Sequence, residues 1–541
     1  MTQSWLYRLC CRLKEGNSNL SILLVEAGPN ANDNLSVLDG SKFVSLWGSD
    51  FDWKYVTVPQ KSLGGKTVPN PAGRLLGGGS AINAGGWIRG DKTDYDIWGE
   101  MVNDKRWSYN GLLPYFRRVE AHYDNNSNPD IHGFTGPIKT ESIRSTGRAF
   151  PLQSFVEDAW NAEGVRYIPD KNSGDPIGLG EHVACQVDGM RQFSSLQYPL
   201  DVSILTNTLV KRVIIEEHNS TQVAVGIELA GNGRKIHAKQ EVIVCAGAYR
   251  TPQVLMLSGI GPASHLRHHG IDVILDMPDV GQHLHDHPTI TQWWKLREPE
   301  KGLAMESTGF NSPQLFKGLP MDFVATQPVP LEGLKEALVR DGDTKNINSN
   351  VLVTRQLGHV ETYITYVAFN PENPKIPLDG SHISSGVVCL LPTSRGTIKL
   401  ADKDANSSPF IDPNYAATEA DRYILREGLK KLYRVMHNTP AGRNTIEEET
   451  VEDGYAPIST ASSDEKIDDF IRRRVLSAYH PAGSASMGKV VDSDLRVKGV
   501  ENLRVVDASV IPLPLASHIQ ACVYAISEQA ADIILGKSVV K

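Results

Sequence analysis

Residues 73–83 read GRLLGGGSAIN and decide the fold more than any other stretch of this chain. Runs of glycine expose peptide N–H groups and allow the backbone to approach a phosphate or a flat ring closely. A flexible surface loop is the alternative interpretation. Leu75, Leu76 and Ile82, however, stand at fixed places among the glycines, which favours a packed turn. The stretch therefore predicts a backbone cradle for a phosphate-bearing or planar ligand.

A second glycine-containing stretch lies far downstream. Residues 247–261 read GAYRTPQVLMLSGIG and follow an apolar run, EVIVC, at 241–245. Pro252 suits the first turn of a helix, and Gly259 suits a helix end. The stretch therefore predicts a strand, a turn and a helix over 252–257.

Two further apolar runs resemble the strand at 241–245. They are SILLVE at 21–26 and LRVVD at 503–507, and each is closed by an acid. Continuous apolar runs of this length are typical of parallel strands that are buried on both faces. The three runs together predict one sheet assembled from segments that are far apart in the sequence.

The N-terminal region contains half of a dinucleotide-binding signature. An amphipathic helix is predicted over residues 5–15, and the strand after it ends at Glu26, where such folds place an acid that binds ribose hydroxyls. The first strand and the GxGxxG turn that should precede the helix are missing. Two explanations stay open: the chain begins upstream of Met1, or the protein lacks its tightest cofactor contact. For Glu26 the alternative is an ordinary surface acid at a strand end.

Residues 73–90 and 247–261 resemble, position by position, the two sequence signatures of the glucose-methanol-choline (GMC) oxidoreductases. Weaker similarities at residues 280–287 and 412–415 extend the resemblance over nearly the whole chain. The resemblance implies an α/β fold with two domains. One is a discontinuous FAD-binding Rossmann-like domain, here without its first strand. The other is a substrate domain built on a mainly antiparallel sheet.

The order of the segments predicts how these domains divide the chain. The stretch from about 290 to 470 is less rich in glycine than its surroundings, which favours a domain inserted into the first one. The expected FAD-binding segments are residues 1–145, 191–290 and 475–541. The expected substrate-domain segments are residues 146–190 and 291–474.

Two histidines stand in motifs that carry the chemistry of the family. HPAGS at 480–484 resembles the family's HPxG(T/S) site, and His518 occupies a position that is histidine or asparagine in the family. Removing a hydride from an alcohol requires loss of the hydroxyl proton, which an imidazole with a pKa of about 6.5 accepts at neutral pH. His480 is the predicted base and His518 its hydrogen-bonding partner, although the roles are exchangeable. Two ordinary core histidines are the alternative.

The resemblance also implies where FAD would lie. Glu26 and Ala27 would meet the adenosine ribose, and Val210 would present its backbone to the adenine. The residues expected around the pyrophosphate, ribityl chain and isoalloxazine ring are Ser80, Asn83, Ala84, Gly85, Gly86, Asp507, Ala508, Ile519 and Gln520. Each of these is a packing residue if no flavin binds.

Charge and composition limit the kinds of partner and the compartment to be expected. The net charge is 55 − 63 = −8, which gives no indication of nucleic-acid binding. No apolar run approaches the roughly 18 residues that span a bilayer, and no secretory signal is recognisable. Six cysteines without a CxxC pair fit a reducing compartment. We therefore expect a cytoplasmic protein without a nucleic-acid or membrane partner; the oligomeric state stays open. The resemblance, rather than composition, implies a small-molecule alcohol as the substrate.

Other chemistries fit the sequence less well. His283, His285 and His287 alternate and could share one face of a strand as metal ligands, but the family pattern already accounts for His287. No metal is therefore expected. A serine hydrolase is not expected, because the chain has no GxSxG elbow.

The predicted activity is FAD-dependent oxidation of a primary or secondary alcohol to the carbonyl, by an oxidase or a dehydrogenase. His518 and Tyr479, which is either an aromatic wall of the site or core packing, favour an aromatic or secondary-metabolite alcohol. A non-redox cyclase or lyase that uses the same histidines, and a flavin-free inactive scaffold, remain the alternatives.

Overall fold

The computed structural model describes residues 5–198, 201–344 and 347–537. Its largest element is a seven-stranded sheet in which every pairing is antiparallel, as the sequence predicts for the second domain. Six strands follow one another in the order Ile446–Thr450, Pro288–Leu296, His382–Cys389, Val360–Thr365, Phe323–Gln327 and Gly178–Glu181. The seventh strand, Leu476–Ser477, pairs with the start of Pro288–Leu296.

Helices pack on this sheet through apolar stripes. Glu419–Tyr433 contacts the two strands at 360–365 and 382–389, and its buried residues recur at three- and four-residue intervals, as an amphipathic helix requires. Leu331–Arg340 and Asp464–Arg474 pack beside it. Helix Asp464–Arg474 is capped at its N-terminus, because the Ser463 side chain accepts from the Lys466 N–H. The strands that face the first domain are therefore held by a packed layer.

The three predicted apolar runs take part in two separate parallel pairs. Leu23–Val25 pairs with Ser203–Leu205, and Val242–Val244 pairs with Leu503–Val505. The prediction of one parallel sheet is wrong for the described residues, because none of their strands bonds to both pairs. A Rossmann sheet is completed by a strand that precedes its first helix. The sequence ahead of this helix has no glycine turn, as noted above, and residues 1–4 lie outside the described residues.

The N-terminal helix spans Trp5–Gly16, close to its predicted bounds. It packs against the last helix, Gln520–Ile534, and Leu9 and Leu13 belong to the same apolar core as that helix. Between the two helices Arg8 and Glu528 form an ion pair that is fully buried on both sides. Removing one partner of such a pair leaves an unpaired buried charge. The ion pair therefore strongly stabilises the contact between the first and last helices.

The helix after the strand at 242–244 differs from its prediction. It spans Gly247–Leu257, so it begins five residues earlier and contains Pro252 in its interior. Asp507 supports this early start, because its Oδ2 accepts from the Gly247 N–H at 2.8 Å and from Thr251 Oγ1 at 2.6 Å. That carboxylate comes from the other end of the sequence and gives no local signal.

The remaining elements include a hairpin and several helices. The predicted strand pair is a hairpin of Val210–His218 and Thr221–Leu229, extended by Lys235–His237. Further helices are Lys92–Met101, Tyr109–Val119, Gln153–Ala162, Ala263–His268 and Pro440–Thr445. Across the described ranges no helix is both long and apolar enough to cross a membrane. The domain boundaries given above stay a prediction.

Candidate active site

The two predicted catalytic histidines lie side by side. His480 follows the short strand Leu476–Ser477, and His518 comes just before helix Gln520–Ile534. Their ring centres are 5.1 Å apart. His480 is buried, whereas the His518 side chain keeps 21 % of its surface exposed. The pair therefore stands at the boundary between the antiparallel sheet and the first domain, with one ring open to the space in front of it.

Asp286 holds the backbone around His480. Its Oδ1 accepts from the N–H groups of His480 (2.7 Å) and His287 (2.8 Å). Its Oδ2 accepts from the hydroxyls of Tyr415 and Ser477, each at 2.5 Å. Four hydrogen bonds to one buried carboxylate place His480 with little freedom.

The His480 ring is oriented by a second histidine. His480 Nδ1 lies 2.9 Å from His287 Nδ1, so one of these nitrogens donates and the other accepts. The residue before it, Tyr479, has φ of +62°, a left-handed conformation that is strained for a bulky side chain. Tyr479 packs on Trp47 with ring centres 5.0 Å apart. The strained turn therefore positions both an aromatic pair and the imidazole of His480.

The proline inside helix Gly247–Leu257 anchors the HPAGS segment. A proline in a helix leaves the carbonyl four residues earlier without its usual donor. For Pro252 that carbonyl belongs to Ala248, and it accepts from Ser484 Oγ at 2.5 Å. The serine of the motif therefore satisfies a defect in the neighbouring helix and fixes the segment that carries His480.

His518 is held by an acid. Its Nε2 lies 2.8 Å from Glu361 Oε1, and Glu361 is buried in the strand Val360–Thr365. Burial by itself would raise the pKa of Glu361, but the attraction and hydrogen bond of His518, with the charges of Lys171 and His182, together outweigh it and the pKa is lowered. The ionised carboxylate accepts from Nε2, so Nδ1 of His518 is left to face the glycine loop.

Three imidazoles around the site are neutral. Burial, with proximity to His518, lowers the pKa of His182 to about 3. The same two causes lower the pKa of His287 to about 3. Burial and then His287 and His518 lower the pKa of His480 well below its ordinary value. His480 is therefore unprotonated at neutral pH, which is the state that a general base requires.

Gly86 lies against His518 and His182. A Cβ at this position would be 2.5 Å from His518 Nδ1 and 3.3 Å from His182 Nε2. Because Glu361 holds the other nitrogen of His518, the ring cannot move aside freely. We expect Gly86→Ala to slow flavin reduction by about 10- to 100-fold, since small displacements of a catalytic group are costly.

The matched test for Gly86→Ala is a double-mutant cycle with His518→Ala. Rates of flavin reduction would be measured for both single variants and the double variant. If the clash with His518 is the cause, the added methyl group should cost little once the ring is removed. An equal loss in both backgrounds would contradict this explanation.

The predicted flavin-ring residues come together around His518. Asn83 Nδ2 donates to Gln520 Oε1 at 2.6 Å, and Asn83 Oδ1 accepts from the Gly85 N–H at 3.0 Å. Asn83, Ala84 and Gly86 are half-buried although their flanking residues are buried. Ile519 precedes Gln520 at the start of the last helix. This part of the glycine loop therefore offers accessible backbone next to the histidines.

The predicted phosphate-side residues lie behind this loop. Ser80 belongs to the short helix Gly79–Ile82, and its hydroxyl donates to the Gly77 carbonyl at 2.7 Å. Asp507 binds the start of helix Gly247–Leu257, as described above. The carbonyl of Ala508 accepts from the Gly483 N–H at 3.2 Å, which joins this turn to the HPAGS segment.

The predicted adenosine-side residues are also neighbours. Glu26 and Ala27 are buried, and Glu26 Oε1 accepts from the Gly28 N–H at 2.7 Å. The Glu26 carbonyl accepts from the Thr208 N–H at 2.9 Å, which brings the start of the hairpin at Val210 to the same place. Burial raises the pKa of Glu26 to about 8. The three predicted contacts therefore share one corner at the end of strand Leu23–Val25.

The alternating histidines do not converge on one point. His283 binds Asp279 at 2.8 Å on the surface, and His287 faces His480. His285 is buried, with Nδ1 3.2 Å from the His283 carbonyl. Their side chains are engaged in three different contacts, which gives no support to a metal site there.

A buried group of metal-ligand type lies elsewhere, at Glu120, His122 and His132. The two imidazoles are stacked, with centroids 3.7 Å apart and planes inclined by 25°. Imidazoles bound to one tetrahedral ion diverge by roughly 110°, so this arrangement does not suit a shared metal. Arg89 already pairs with Glu120 at 2.7 Å, and Asp170 binds His132 at 3.0 Å. The contacts instead form a buried ion-pair network.

Sequence reasoning missed two groups at the site. Glu361 lies in the strand HVETYITY, whose alternation indicates a strand but not the partner of its acid. His182 belongs to no motif, yet its ring centre is 6.4 Å from that of His518. Only strand pairing brings these residues to the motif histidines.

Comparison with known proteins identifies this arrangement. Two family models, both described as GMC oxidoreductase, match residues 25–289 and 392–527. The chain belongs to the GMC oxidoreductase family. The GMC-type oxidoreductase acuG of Aspergillus aculeatus is 40 % identical to it over 521 residues, which cover 96 % of this chain and 95 % of that protein.

Solved GMC-type folds agree with the description above. A mutant formate oxidase of Aspergillus oryzae, solved to show the effect of the mutation on FAD modification, superposes with a TM-score of 0.86 at 28 % identity, covering 98 % of this chain and 96 % of the other. Pyridoxine 4-oxidase from Mesorbium loti superposes with a TM-score of 0.82 at 27 % identity, covering 98 % and 97 %. The GMC chain is therefore an oxidoreductase, and its cofactor is FAD.

The residues of this GMC chain fit that cofactor. The half-buried backbone at 83–86 provides the close approach that a flat ring needs. Gly86 leaves a gap beside His518 that even one methyl group would fill. At the other end the buried carboxyl of Glu26 is of the type that binds ribose hydroxyls. The glycine turn that would add contacts before the first helix is missing from the sequence, as noted above.

Proposed function

We propose that the chain oxidises a primary or secondary alcohol to the carbonyl compound, with the hydroxyl proton passing to His480. The observation that carries the proposal is the pair of histidines with ring centres 5.1 Å apart, one of them against Gly86. The proposed substrate is an aromatic or secondary-metabolite alcohol. The packed rings of Trp47 and Tyr479 next to His480 support that class, because aromatic rings prefer one another as neighbours.

His480 is proposed to accept the proton at Nε2, because its Nδ1 is engaged with His287. Asp286 fixes its backbone, and its lowered pKa leaves it unprotonated before the reaction. His518 is proposed to hold the alcohol oxygen through Nδ1, since Glu361 occupies Nε2. The carbon–hydrogen bond of the alcohol breaks, and bound FAD supplies the acceptor for the hydride.

The first test is the visible absorbance spectrum of the purified chain, followed by addition of alcohols without oxygen. A flavin spectrum that is bleached by benzyl alcohol would support the proposal. Deuterium at the carbinol carbon should slow the bleaching if hydride transfer limits it. Hexanol and formate serve as an aliphatic and a non-alcohol comparison.

Each of the other possible outcomes would indicate a different function. A flavin spectrum that no alcohol changes, together with turnover of a candidate substrate, would indicate a non-redox cyclase or lyase. A protein that binds no flavin when FAD is added, and converts no alcohol, would indicate an inactive scaffold. Either result would overturn the proposed alcohol oxidation.

A further inference from the structure

A buried lysine lies behind the candidate active site. Lys171 is 2 % exposed, and its ammonium donates to the carbonyls of Pro176 (2.6 Å) and Gly178 (3.3 Å) and to Thr326 Oγ1 (2.8 Å). Lysines are almost never fully buried unless they are paired. None of these three acceptors carries a charge, so the compensating charge must come from further away.

Thr326 lies between Lys171 and the strand that carries Glu361. In the antiparallel ladder between Phe323–Gln327 and Val360–Thr365, Thr326 stands directly opposite Glu361. Opposite residues project from the same face of a sheet with Cβ atoms about 5 Å apart. The ammonium that binds Thr326 is therefore close to the Glu361 carboxylate without forming a direct ion pair. Glu361 in turn binds His518 at 2.8 Å.

We infer that Lys171 is a positioning residue for the oxidation: its charge keeps Glu361 ionised, and ionised Glu361 holds His518 with Nδ1 directed to the glycine loop. The inference rests on the proposed function, because it concerns the same site. It assigns Lys171 no contact with the alcohol or with FAD. Its effect passes through Glu361 and His518 alone.

Several charged and titratable groups act on Glu361 and Lys171. Besides Lys171, the charges acting on Glu361 are those of His518 and His182, and Glu361 also acts on Tyr363. Lys171 is influenced by Glu361 and by Asp175. No other strongly charged neighbour is needed to account for the direction of the effect.

The lysine should act only on the acid side of neutrality. Burial lowers the pKa of Lys171 to about 7, and the attraction of Glu361 and Asp175 opposes this only in part. Lys171 is thus charged below about pH 7 and loses its charge as the pH rises. The Glu361 carboxylate becomes protonated only at low pH, where Lys171 carries its charge and opposes that protonation. At high pH the carboxylate is ionised without help.

The test is flavin reduction by benzyl alcohol in the FAD-loaded full chain, for the wild type and Lys171→Met, between about pH 5 and about pH 9. The pKa of Glu361 lies below its ordinary value in the wild type. We therefore expect equal rates above about pH 8 and a variant slower by about two- to threefold near pH 5, with the acid limb moved up by about one unit. Lys403→Met, an exposed lysine, is the matched control and should follow the wild type. Superimposable profiles for Lys171→Met and the wild type would overturn the inference.

A second measurement separates this inference from the proposed function. The infrared band of protonated Glu361, assigned by its loss in Glu361→Gln, is followed against pH without any substrate. It should appear at higher pH in Lys171→Met than in the wild type, and an unchanged midpoint would overturn the inference. If no alcohol reduces the wild-type flavin, the proposed function fails while this band still decides the role of Lys171.

Thr326→Val is the substitute if Lys171→Met does not fold. It keeps the lysine charge but removes the hydroxyl that holds the ammonium opposite Glu361. The Glu361 band should then shift in the same direction by a smaller amount. A band that stays at the wild-type pH in this variant would also contradict the inference.

Discussion

Replacing His480 by alanine should slow flavin reduction by about 10³-fold while FAD stays bound, because a positioned general base contributes about 10²–10⁴-fold. The buried imidazole is unprotonated, and its neighbours Asp286 and His287 fix it beside His518. No other described group stands in the same position to receive the hydroxyl proton. The bonds of Asp286 to the backbone N–H groups do not depend on the removed ring, so the local fold should survive.

Stopped-flow reduction with benzyl alcohol, together with the flavin content of the purified variant, measures this effect. His268→Ala removes an exposed histidine and is the matched control. His480→Asn keeps a polar side chain and tests whether a hydrogen bond alone suffices. Near-normal reduction in His480→Ala would refute the assignment. A comparable loss in His518→Ala with a small loss in His480→Ala would exchange the two roles.

Replacing Glu120 by alanine should lower the free energy of unfolding by about 3–5 kcal/mol, the usual effect of removing one partner of a buried ion pair. Glu120 Oε2 accepts from Arg89 at 2.7 Å and from Trp87 Nε1 at 3.0 Å, and Oε1 lies 2.7 Å from His132 Nδ1. Burial would raise the pKa of Glu120, but Arg89 and then the two histidines lower it well below its ordinary value. Alanine would leave Arg89 buried and unpaired.

Denaturant unfolding at neutral pH, with flavin saturating in all samples, measures the loss. Glu447→Ala removes a glutamate whose pairing with Lys295 is exposed on both sides, and such pairs contribute less than about 1 kcal/mol. Adding Arg89→Met to Glu120→Ala should recover part of the stability, because the unpaired charge is removed as well. A loss for Glu120→Ala no larger than that for Glu447→Ala would show that the network contributes little.

Local features of the sequence were sufficient for much of the fold. The helices at 5–16, 419–433 and 464–474 follow from apolar spacing and caps that lie within one or two turns. The strand pair at 210–229 follows from alternation. In each case the residues that stabilise the element are close together in the chain, so the pattern contains the necessary information.

Elements stabilised from a distance were predicted less well. The helix at 247–257 starts early because Asp507 binds its first N–H, and its interior proline is accommodated by Ser484. The single parallel sheet was wrong because pairing depends on which strand lies next to which, and an apolar run does not specify its neighbour. Both errors concern partners about 180 to 260 residues away in the sequence.

The same division holds for the site. The motifs by themselves indicated the family and FAD, which the comparisons confirm, and they predicted the glycine loop at 83–86 and the histidines at 480 and 518, because those residues occur in contiguous patterns. Only the tertiary structure brought Glu361 to His518 and placed Lys171 behind Thr326. An acid in an alternating strand and a lysine in a loop carry no local sign of their partners. Their roles arise from burial and charge, which exist only after strands distant in sequence have paired.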